Sequence, residues 1–378
     1  MKKALVILLV TALAFTSLFA QGGNETAAAS SEPVLEYVTG DSWVAGYFAA
    51  VLLHNAIDGN RIVDESGNPV WITDLEPFAL TAADYDDYKT YLVDDEDGLY
   101  TVAETQAFDG ATYDEIVSAI YGYNLFDRIA AKKAAEGTET KVEKSGYTVA
   151  YNIFGSGSAA LDYLQKRTAQ ALAAYGDDAV LKNNNFNAGG IISDFMEVIN
   201  SGSVQGVIIW APAAGLILPI AQACEANGIY FVLNDKAPDD AKEALMGMKY
   251  FAGAVAPANA VYGEKMADYA ISRGWKTCVV TTSAVGDTSD QPRYDAFKEK
   301  FEAAGGKILV TVNNDSTDVS LENVRNALNG LDEEPDFIYG VGSSYALTAI
   351  TALEDHTDWN TKVITSGLED DITKLLAD

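Results

Sequence analysis

Histidine, the side chain that most often carries acid–base or metal chemistry near neutral pH, occurs twice in this chain of 378 residues. His54 lies in the apolar run WVAGYFAAVLLHNAI, where we expect it to make a structural polar contact. His356 lies in the polar run EDHTD and is predicted to be exposed. The two histidines do not have metal-ligand spacing, and the sequence contains no Gly-x-Ser-x-Gly elbow or Walker phosphate loop. The sequence therefore predicts neither catalytic residues nor a metal site.

A glycine-rich stretch, Gly155-Ser-Gly157-Ser-Ala-Ala160, follows a strand pattern and precedes a helical pattern. Its spacing matches the turn with which dinucleotide-binding folds hold a pyrophosphate, but that turn needs an acidic residue at the end of the next strand. Here the next strand pattern ends in KNNNF, without an acid. We expect small residues that let a helix begin close to a ligand, with free backbone N–H groups directed at it, and no cofactor. A secreted enzyme with a nicotinamide or nucleotide cofactor is the alternative.

An acidic turn has residues that match positions 3, 5, 6 and 12 of an EF-hand calcium loop: Asp95, Asp97, Gly98 and Glu104. Position 1 would be Val93, whose side chain cannot bind a cation. We expect a solvated acidic turn, and calcium binding is the alternative.

The formal net charge of −30 at pH 7 opposes binding to nucleic acid, because a phosphate backbone requires clustered Lys and Arg. A solvated acidic surface is the simpler interpretation of this charge, and a cationic ligand is the alternative.

The two cysteines, Cys224 and Cys278, stand in apolar segments of different predicted lobes. We therefore expect two buried thiols and no disulfide between them.

Residues 1–20 have the pattern of a secretory signal peptide. Two lysines precede an apolar run that ends at Phe15, and Ser17-Leu-Phe-Ala20 resembles a cleavage site. Residues 21–32 are predicted to be a small-residue linker. No later segment reaches the ~20 apolar residues of a membrane-spanning helix. We therefore expect an exported, periplasmic protein that is not embedded in the membrane.

From Tyr147 onward, apolar strand patterns alternate with helical patterns. The strand patterns are YTVAYNIF (147–154), DAVLKNNNF, VQGVIIW (204–210), IYFVLN (229–234), KTCVVTT, KILVTV, DFIYGV and KVITSG. Such alternation is typical of βαβ units, whose parallel sheets are covered on both faces. The predicted fold class is α/β, with two doubly wound parallel-sheet lobes, residues 146–254 and 255–378, joined by a hinge near 254–259. Ligands of such sheets bind at the carboxyl ends of the strands.

Several segments of residues 146–378 resemble, in their order and spacing, the type 1 periplasmic binding protein family, the sugar-type receptors of ABC transporters. These segments are VIIWAPA, AQACEANGIYFVLND, YFAGAVAPANAVYGEKMADYA, RYDAFKEKF and DFIYGVGSSYALTAI. The resemblance implies a monomeric, non-enzymatic receptor that closes two lobes around a small polar, sugar-like molecule and delivers it to an ABC transporter permease. A periplasmic sensor that docks on a membrane kinase or chemoreceptor is the alternative.

The resemblance also implies a ligand site at the ends of the strands of both lobes. By position, that site would contain Phe154, Ser156, Ser158, Trp210, Asn234 and Asp235 from lobe 1, and Arg293, Ser343 and Ser344 from lobe 2. In sugar receptors of this family, Asp and Asn side chains pair with ring hydroxyls, and aromatic rings cover the apolar ring faces. The alternatives are that Trp210 belongs to the core and that Arg293 pairs with Asp290 on its own loop.

The sequence departs from the family at two of these positions. Gly342-Ser343 follows DFIYGV where the family often has Asn-Asp, and Gly367-Leu368 follows KVITS where it often has an Asp. A site that pairs with hydroxyls discriminates through those groups. The sequence therefore argues against an ordinary aldose as the ligand.

Within the segment 33–130, residues 33–92 resemble the part of the family fold that should follow the end of this chain. EPVLEYVTG would be a strand of the second sheet, DSWVAGYFAAVLLHNAIDGNRI a helix on the first, and VWITDLEPFAL the last crossing. The helix is apolar nearly all round, so it must be buried. We expect a circularly permuted chain with a helical appendage at residues 97–130 and a joining linker at residues 131–145. A separate N-terminal module on a truncated receptor is the alternative.

Overall fold

The computed structural model describes residues 34–40, 43–95, 98–136, 140–153, 159–184, 187–314, 319–367 and 370–376. The predicted signal peptide and the linker at residues 21–32 lie outside these ranges. Among the described residues, no helix is long and apolar enough to cross a membrane.

The described residues contain strands and helices that alternate over most of the chain. In chain order the strands are β1 (Leu35–Gly40), β2 (Val70–Leu75), β3 (Phe78–Leu80), β4 (Thr148–Ile153), β5 (Asp178–Asn183), β6 (Gly206–Ile209), β7 (Tyr230–Leu233), β8 (Phe251–Pro257), β9 (Thr277–Ser283), β10 (Lys307–Asn314), β11 (Phe337–Gly340) and β12 (Lys362–Thr365).

The α-helices are α1 (Trp43–Ile57), α2 (Tyr85–Tyr88), α3 (Val102–Gln106), α4 (Tyr113–Tyr121), α5 (Leu125–Ala135), α6 (Ala159–Ala174), α7 (Ala188–Ser201), α8 (Ile217–Asn227), α9 (Asp239–Met246), α10 (Asn259–Ser272), α11 (Asp290–Ala303), α12 (Ser320–Asn329), α13 (Ser343–Leu353) and α14 (Asp370–Thr373).

The strands form two six-stranded sheets, which confirms the predicted α/β class with two parallel-sheet lobes. The first sheet has the order β2-β8-β7-β6-β4-β5 and is parallel throughout. The second has the order β10-β9-β11-β12-β1-β3, and only the edge pair β1–β3 is antiparallel. Most strands bury their side chains on both faces, as parallel sheets between helices require.

The N-terminal segment completes both sheets. β1 pairs in parallel with β12, with Leu35 opposite Val363 and Val38 opposite Thr365, so the prediction that Glu36 to Val38 adds a strand to the sheet of KVITSG is confirmed. β2 pairs with β8 at the edge of the first sheet. The chain therefore passes between the lobes four times: from β1 to α1, from β2 to β3, from β3 back to the lobe of β4, and from β8 to α10.

Helix α1 covers one face of the first sheet. It contacts β6, β7, β8 and α6, and nearly all of its side chains are buried, from Val44 to Ala56. This burial confirms the prediction made from its apolar circumference. Gly206 of β6 marks the closeness of the contact, since a Cβ there would lie 2.7 Å from Ile57 Cδ1 and 2.9 Å from Leu53 Cδ2.

The helical appendage, α3 to α5, packs into the same core as α1 and α6. Tyr47 of α1 bonds Thr105 of α3 through their hydroxyl oxygens at 2.7 Å, and Gln106 Nε2 donates to the carbonyl of Ala174 at the end of α6 at 3.0 Å. Because residues 34–378 form one compact unit, the alternative of a separate N-terminal module is wrong.

Two expected boundaries differ from those observed, and two elements were not expected. Helix α5 continues to Ala135, so the segment predicted as a linker from residue 131 begins with helical residues. Strand β8 extends to Pro257, which moves the lobe boundary from residue 254 to Ala258. Strand β8 and helix α9 were not among the predicted elements, since YFAGAVAP is rich in small residues and DDAKEALM is short and polar.

We predict that Leu53→Ala lowers the free energy of unfolding of the whole first lobe by about 2–5 kcal/mol, because it leaves a cavity between α1 and the sheet. Leu53 is completely buried, whereas Leu181, at the far edge of the same sheet, is 38% exposed. Leu181→Ala is therefore the matched control. Chemical denaturation followed by hydrogen exchange in β6 and β7 is the measurement. Unchanged protection of these strands in Leu53→Ala would show that α1 does not support the sheet.

Candidate functional site

Doubly wound sheets bind ligands at the carboxyl ends of their strands, and the space between the lobes at these strand ends is called the crevice here. Lobe 1 contributes the ends of β4, β6 and β7, and lobe 2 contributes the ends of β9, β11 and β12. The loop after β9 touches lobe 1 directly, because Thr288 Oγ1 donates to the carbonyl of Pro212 at 3.4 Å.

Trp210 follows β6 at the rim of this crevice. It is partly buried and packs against the core that contains α1, and its place in a ligand site stays a prediction. Its main-chain N–H donates to Asn152 Oδ1 at 3.3 Å. Asn152 is completely buried, and its Nδ2 has no hydrogen-bond partner among the described residues. This amide is a buried donor at the carboxyl end of β4.

Asp235, directly after β7, accepts the N–H of Lys236 at 2.7 Å and the N–H of Ala211. Burial raises the pKa of Asp235 to about 7, against the effect of these two N–H groups, and the negative charge of Asp287 raises it further. The lobe 2 residue within electrostatic range of this carboxylate is Asp287.

Asn234, the residue before Asp235, faces the interior of lobe 1. It is 3% exposed, and its Nδ2 lies 3.4 Å from the position that a Cβ on Gly46 would occupy. Tyr151 and Thr168 surround the same space. The structure therefore places the Asn234 amide against α1 and α6, and it does not bring this amide together with Arg293.

Arg293, in the first turn of α11, makes contacts within lobe 2. Its Nε and Nη2 donate to Asn259 Oδ1 at 3.1 and 2.9 Å, and its Nη1 donates to the carbonyl of Ser366 at 3.3 Å. The guanidinium lies 4.6 Å from the centroid of the Tyr262 ring. Asp290 Oδ1 is 3.8 Å away, which is an ion pair without a hydrogen bond. Arg293 thus ties the start of α10, after the hinge crossing, to the end of β12.

The loop between β9 and α11 carries two carboxylates that the sequence analysis did not assign to the site. Asp287 Oδ1 accepts the N–H groups of Ser289 and Asp290 at 2.9 and 2.8 Å. Burial raises the pKa of Asp290 to about 6; Arg293 opposes this shift and Asp287 adds to it. Burial and these two carboxylates raise the pKa of Tyr345. The available signal was their position a few residues after the predicted strand KTCVVTT, in DTSDQPR.

The remaining predicted site residues fall into two groups. Ser343 and Ser344 begin α13 at the end of β11; Ser343 is buried and Ser344 is exposed. Phe154, Ser156 and Ser158 lie outside the described residues, as does the Gly155–Gly157 loop.

The other chemical candidates have structural roles. His54 Nδ1 lies 2.8 Å from Asp177 Oδ2, and its ring stacks on Tyr175 at 3.8 Å, so the predicted structural contact is confirmed. The prediction that His356 is exposed is wrong, because its ring stacks on Trp359 at 4.0 Å and is half-buried. Both cysteine thiols are completely buried.

The carboxylates of the acidic turn that the structure describes are paired with cations of α5. Asp95 Oδ1 is 2.6 Å from Lys132 Nζ, and Glu104 Oε2 is 2.7 Å from Arg128 Nη2. Glu104 also caps α3 by accepting the N–H of Thr101. Among the described residues, no group of three or more His, Cys, Asp or Glu could hold a metal ion.

Residues 149–378 match the model of the family described as periplasmic binding protein domain. The chain belongs to this family. The match covers both lobes from β4 onward and leaves out β1, β2 and β3. No curated protein matches the chain.

Solved structures with the same fold are periplasmic binding proteins of this kind. A galactofuranose binding protein is 17% identical, with 58% of this chain and 75% of that chain covered and a TM-score of 0.50. A solute binding protein of an ABC transporter from Actinobacillus succinogenes, with bound D-allose, is 18% identical, with 61% and 80% covered and a TM-score of 0.52. The binding protein of an arabinose ABC transporter from a Shewanella species is 16% identical, with 58% and 73% covered and a TM-score of 0.50.

We predict that Asp235→Asn stabilises the ligand-free protein at about pH 8, by ~1–3 kcal/mol, and loses this advantage at about pH 4. A carboxyl whose folded pKa is raised binds more protons in the folded state, so the stability that it contributes falls as the pH rises through 3.8 toward about 7. Asparagine removes the charge and keeps the oxygen that accepts the main-chain N–H groups.

Thermal unfolding of the two proteins across this pH range is the measurement. Asp332→Asn, a substitution at an exposed position, is the control and should show no such crossover. A stability difference between Asp235→Asn and the parent protein that does not change with pH would contradict the assignment of a desolvated carboxylate at Asp235.

Proposed function

We propose that this protein is an exported solute-binding receptor that captures a small polar, sugar-like molecule between its two lobes and delivers it to the permease of an ABC importer. The observation that supports the proposal is the approach of polar side chains from the two lobes at the carboxyl ends of their parallel sheets. Asp235 lies on the lobe 1 side, and Asp287 lies on the lobe 2 side with Asp290 beside it.

Family membership and the related structures support transport rather than chemistry. The binding proteins with this fold include one for galactofuranose, one with bound D-allose and one bound to L-arabinofuranose, each a small sugar. We propose that this chain likewise binds without covalent chemistry. Its two histidines stack on aromatic rings and its two cysteines are completely buried. The signal-peptide pattern of residues 1–20 supports a periplasmic location.

We propose that the ligand site consists of Trp210, Asn152, Asp235, Asp287, Asp290 and Tyr345, together with Phe154, Ser156, Ser158, Ser343 and Ser344. The hydrogen bonds of Arg293 run to Asn259 and Ser366, so we assign it to the positioning of the hinge and the cleft floor. The amide of Asn234, which faces α1, is assigned to the core.

We further propose that the chain order is permuted relative to other members of the family. The family match begins at residue 149, whereas both sheets need the strands of residues 35–80 to reach six strands each. After α5 the chain returns to β4 along the surface of lobe 1, where Ser145 Oγ donates to Asp177 Oδ1 at 2.6 Å. This return supplies the connection that a permuted chain requires.

The receptor function predicts that protein purified without denaturation retains a small molecule. Mass spectrometry of the supernatant after denaturation should detect this molecule. When it is added back to refolded protein, calorimetry should show saturable binding and the molecule should be recovered unchanged. Trp210→Ala should weaken binding by about tenfold or more, because an aromatic face is lost from the crevice.

Trp359→Ala is the matched control, since Trp359 stacks on His356 outside the crevice. Recovery of a chemically altered molecule would identify an enzyme instead. Equal affinities of the Trp210→Ala and Trp359→Ala variants would place the binding site elsewhere.

A further inference from the structure

Three carboxylates lie where the lobes meet, and they come from both sides of the crevice. Asp235 follows β7 in lobe 1, whereas Asp287 and Asp290 follow β9 in lobe 2. The charge of Asp287 raises the pKa of each of the other two carboxyls, which places it within electrostatic range of both. The contact of Thr288 with Pro212 sets this spacing across the lobes. Closure of the crevice therefore brings like charges together, which opposes closure.

Among the described residues, Arg293 is the cation that lowers the pKa of a carboxyl in this cluster. In the described part of the cluster, the guanidinium of Arg293 is the countercharge, at 3.8 Å from Asp290, and its hydrogen bonds are directed into lobe 2. The segments after residue 33 that the structure does not describe contain no Lys or Arg. Within this cluster, three carboxylates therefore face one guanidinium, and a cationic group on the ligand would balance the excess negative charge.

A metal ion does not fit this position. No metal-binding group exists among the described residues, and one oxygen of Asp235 and one of Asp287 already accept main-chain N–H groups. Trp210 stands next to Ala211, whose N–H bonds Asp235, and the Tyr345 ring lies within electrostatic range of Asp287. Carboxylates combined with aromatic rings favour an organic ammonium group, because the ring faces also attract cations.

We propose that the ligand carries a protonated amine, held between Asp235 of lobe 1 and Asp287 of lobe 2, and that this amine permits the lobes to close. The inference rests on the proposed function, since it concerns the molecule that the same crevice binds. The buried Asn152 Nδ2, which has no partner among the described residues, is a donor for a ligand oxygen. An amine together with hydroxyl oxygens defines the ligand class as an amino polyol.

Binding of a neutral polyol and binding of a protonated amine should differ in the number of protons that the protein takes up. A neutral polyol leaves the carboxylates unbalanced, so closure around it must take up protons from solvent. A protonated amine brings its own charge, so closure around it takes up fewer. This difference can be measured by calorimetry in buffers with different ionisation enthalpies.

The test uses matched pairs of probes that differ in one group: D-glucosamine and D-glucose, D-galactosamine and D-galactose, and scyllo-inosamine and scyllo-inositol. Thermal shifts and calorimetry at about pH 7.5 measure the affinity of the ligand-free protein for each. We expect at least one amine to bind about tenfold or more tightly than its hydroxyl partner, with little proton uptake.

Asp235→Asn and Asp287→Asn should each remove most of this preference, because asparagine keeps the oxygen that accepts the main-chain N–H groups and lacks the charge. Asp332→Asn, at an exposed site, is the control and should keep the preference.

Two results would overturn the inference: a hydroxyl partner that binds as tightly as its amine, or no thermal shift with any amine. In either case, a neutral small molecule released on denaturation would leave the receptor function intact. Failure of every probe, together with no released molecule, would overturn the receptor function as well.

Discussion

The requirement that a parallel sheet be covered on both faces governs the architecture of this protein. The first sheet, built largely from residues 148–257, is covered on one side by α6 and by α1, and α1 comes from a segment about a hundred residues earlier in the chain. Leu53 and the other buried side chains of α1 cover the centre of the sheet. Without α1, this part of the sheet would be open to water. The second sheet depends on the same segment, because β1 extends it beyond β12 and pairs with the edge strand β3. The N-terminal segment is thus part of both lobes, and it crosses between them on the way.

Residues at the last of these crossings contact residues at the floor of the proposed cleft. Arg293 binds Asn259, the first residue of α10 after the last crossing, and the carbonyl of Ser366 at the end of β12. In the hinge motion that we propose, a change of angle at this crossing moves the floor of the cleft in lobe 2. The carboxylates of Asp235 and Asp287 then approach or separate as the lobes move. Their mutual repulsion makes the empty, closed state costly, and a ligand that neutralises them lowers that cost.

Local pattern predicted most of the fold, because buried parallel strands are continuous apolar runs that the sequence displays directly. VQGVIIW and DFIYGV became β6 and β11 within a few residues of the expected bounds. The small residues of YFAGAVAP dilute the same signal, and β8 was missed although it is buried. The apolar circumference of α1 predicted its burial, but only the assembled sheet shows which face of the molecule it covers.

The site was harder to predict, because side-chain direction at a strand end depends on partners distant in sequence. Asn234 and Asp235 are adjacent, yet the first faces α1 and the second faces lobe 2. Asp287 and Asp290 lie in a loop whose importance arises from the contact between lobes, which no local pattern encodes. The Arg293 side chain is drawn toward Asn259 by the packing of α11 on α10, where a Cβ on Gly263 would lie 1.9 Å from the Arg293 carbonyl oxygen.

The central claim is that two lobes close around a ligand, and small-angle X-ray scattering tests it most directly. The protein is measured after removal of bound small molecules by denaturation and refolding, and again after the released molecule is added back at saturation. The account predicts a smaller radius of gyration with the ligand, since one molecule contacts both lobes only when they close. Scattering curves that are identical in both states, with binding confirmed by calorimetry on the same samples, would contradict it.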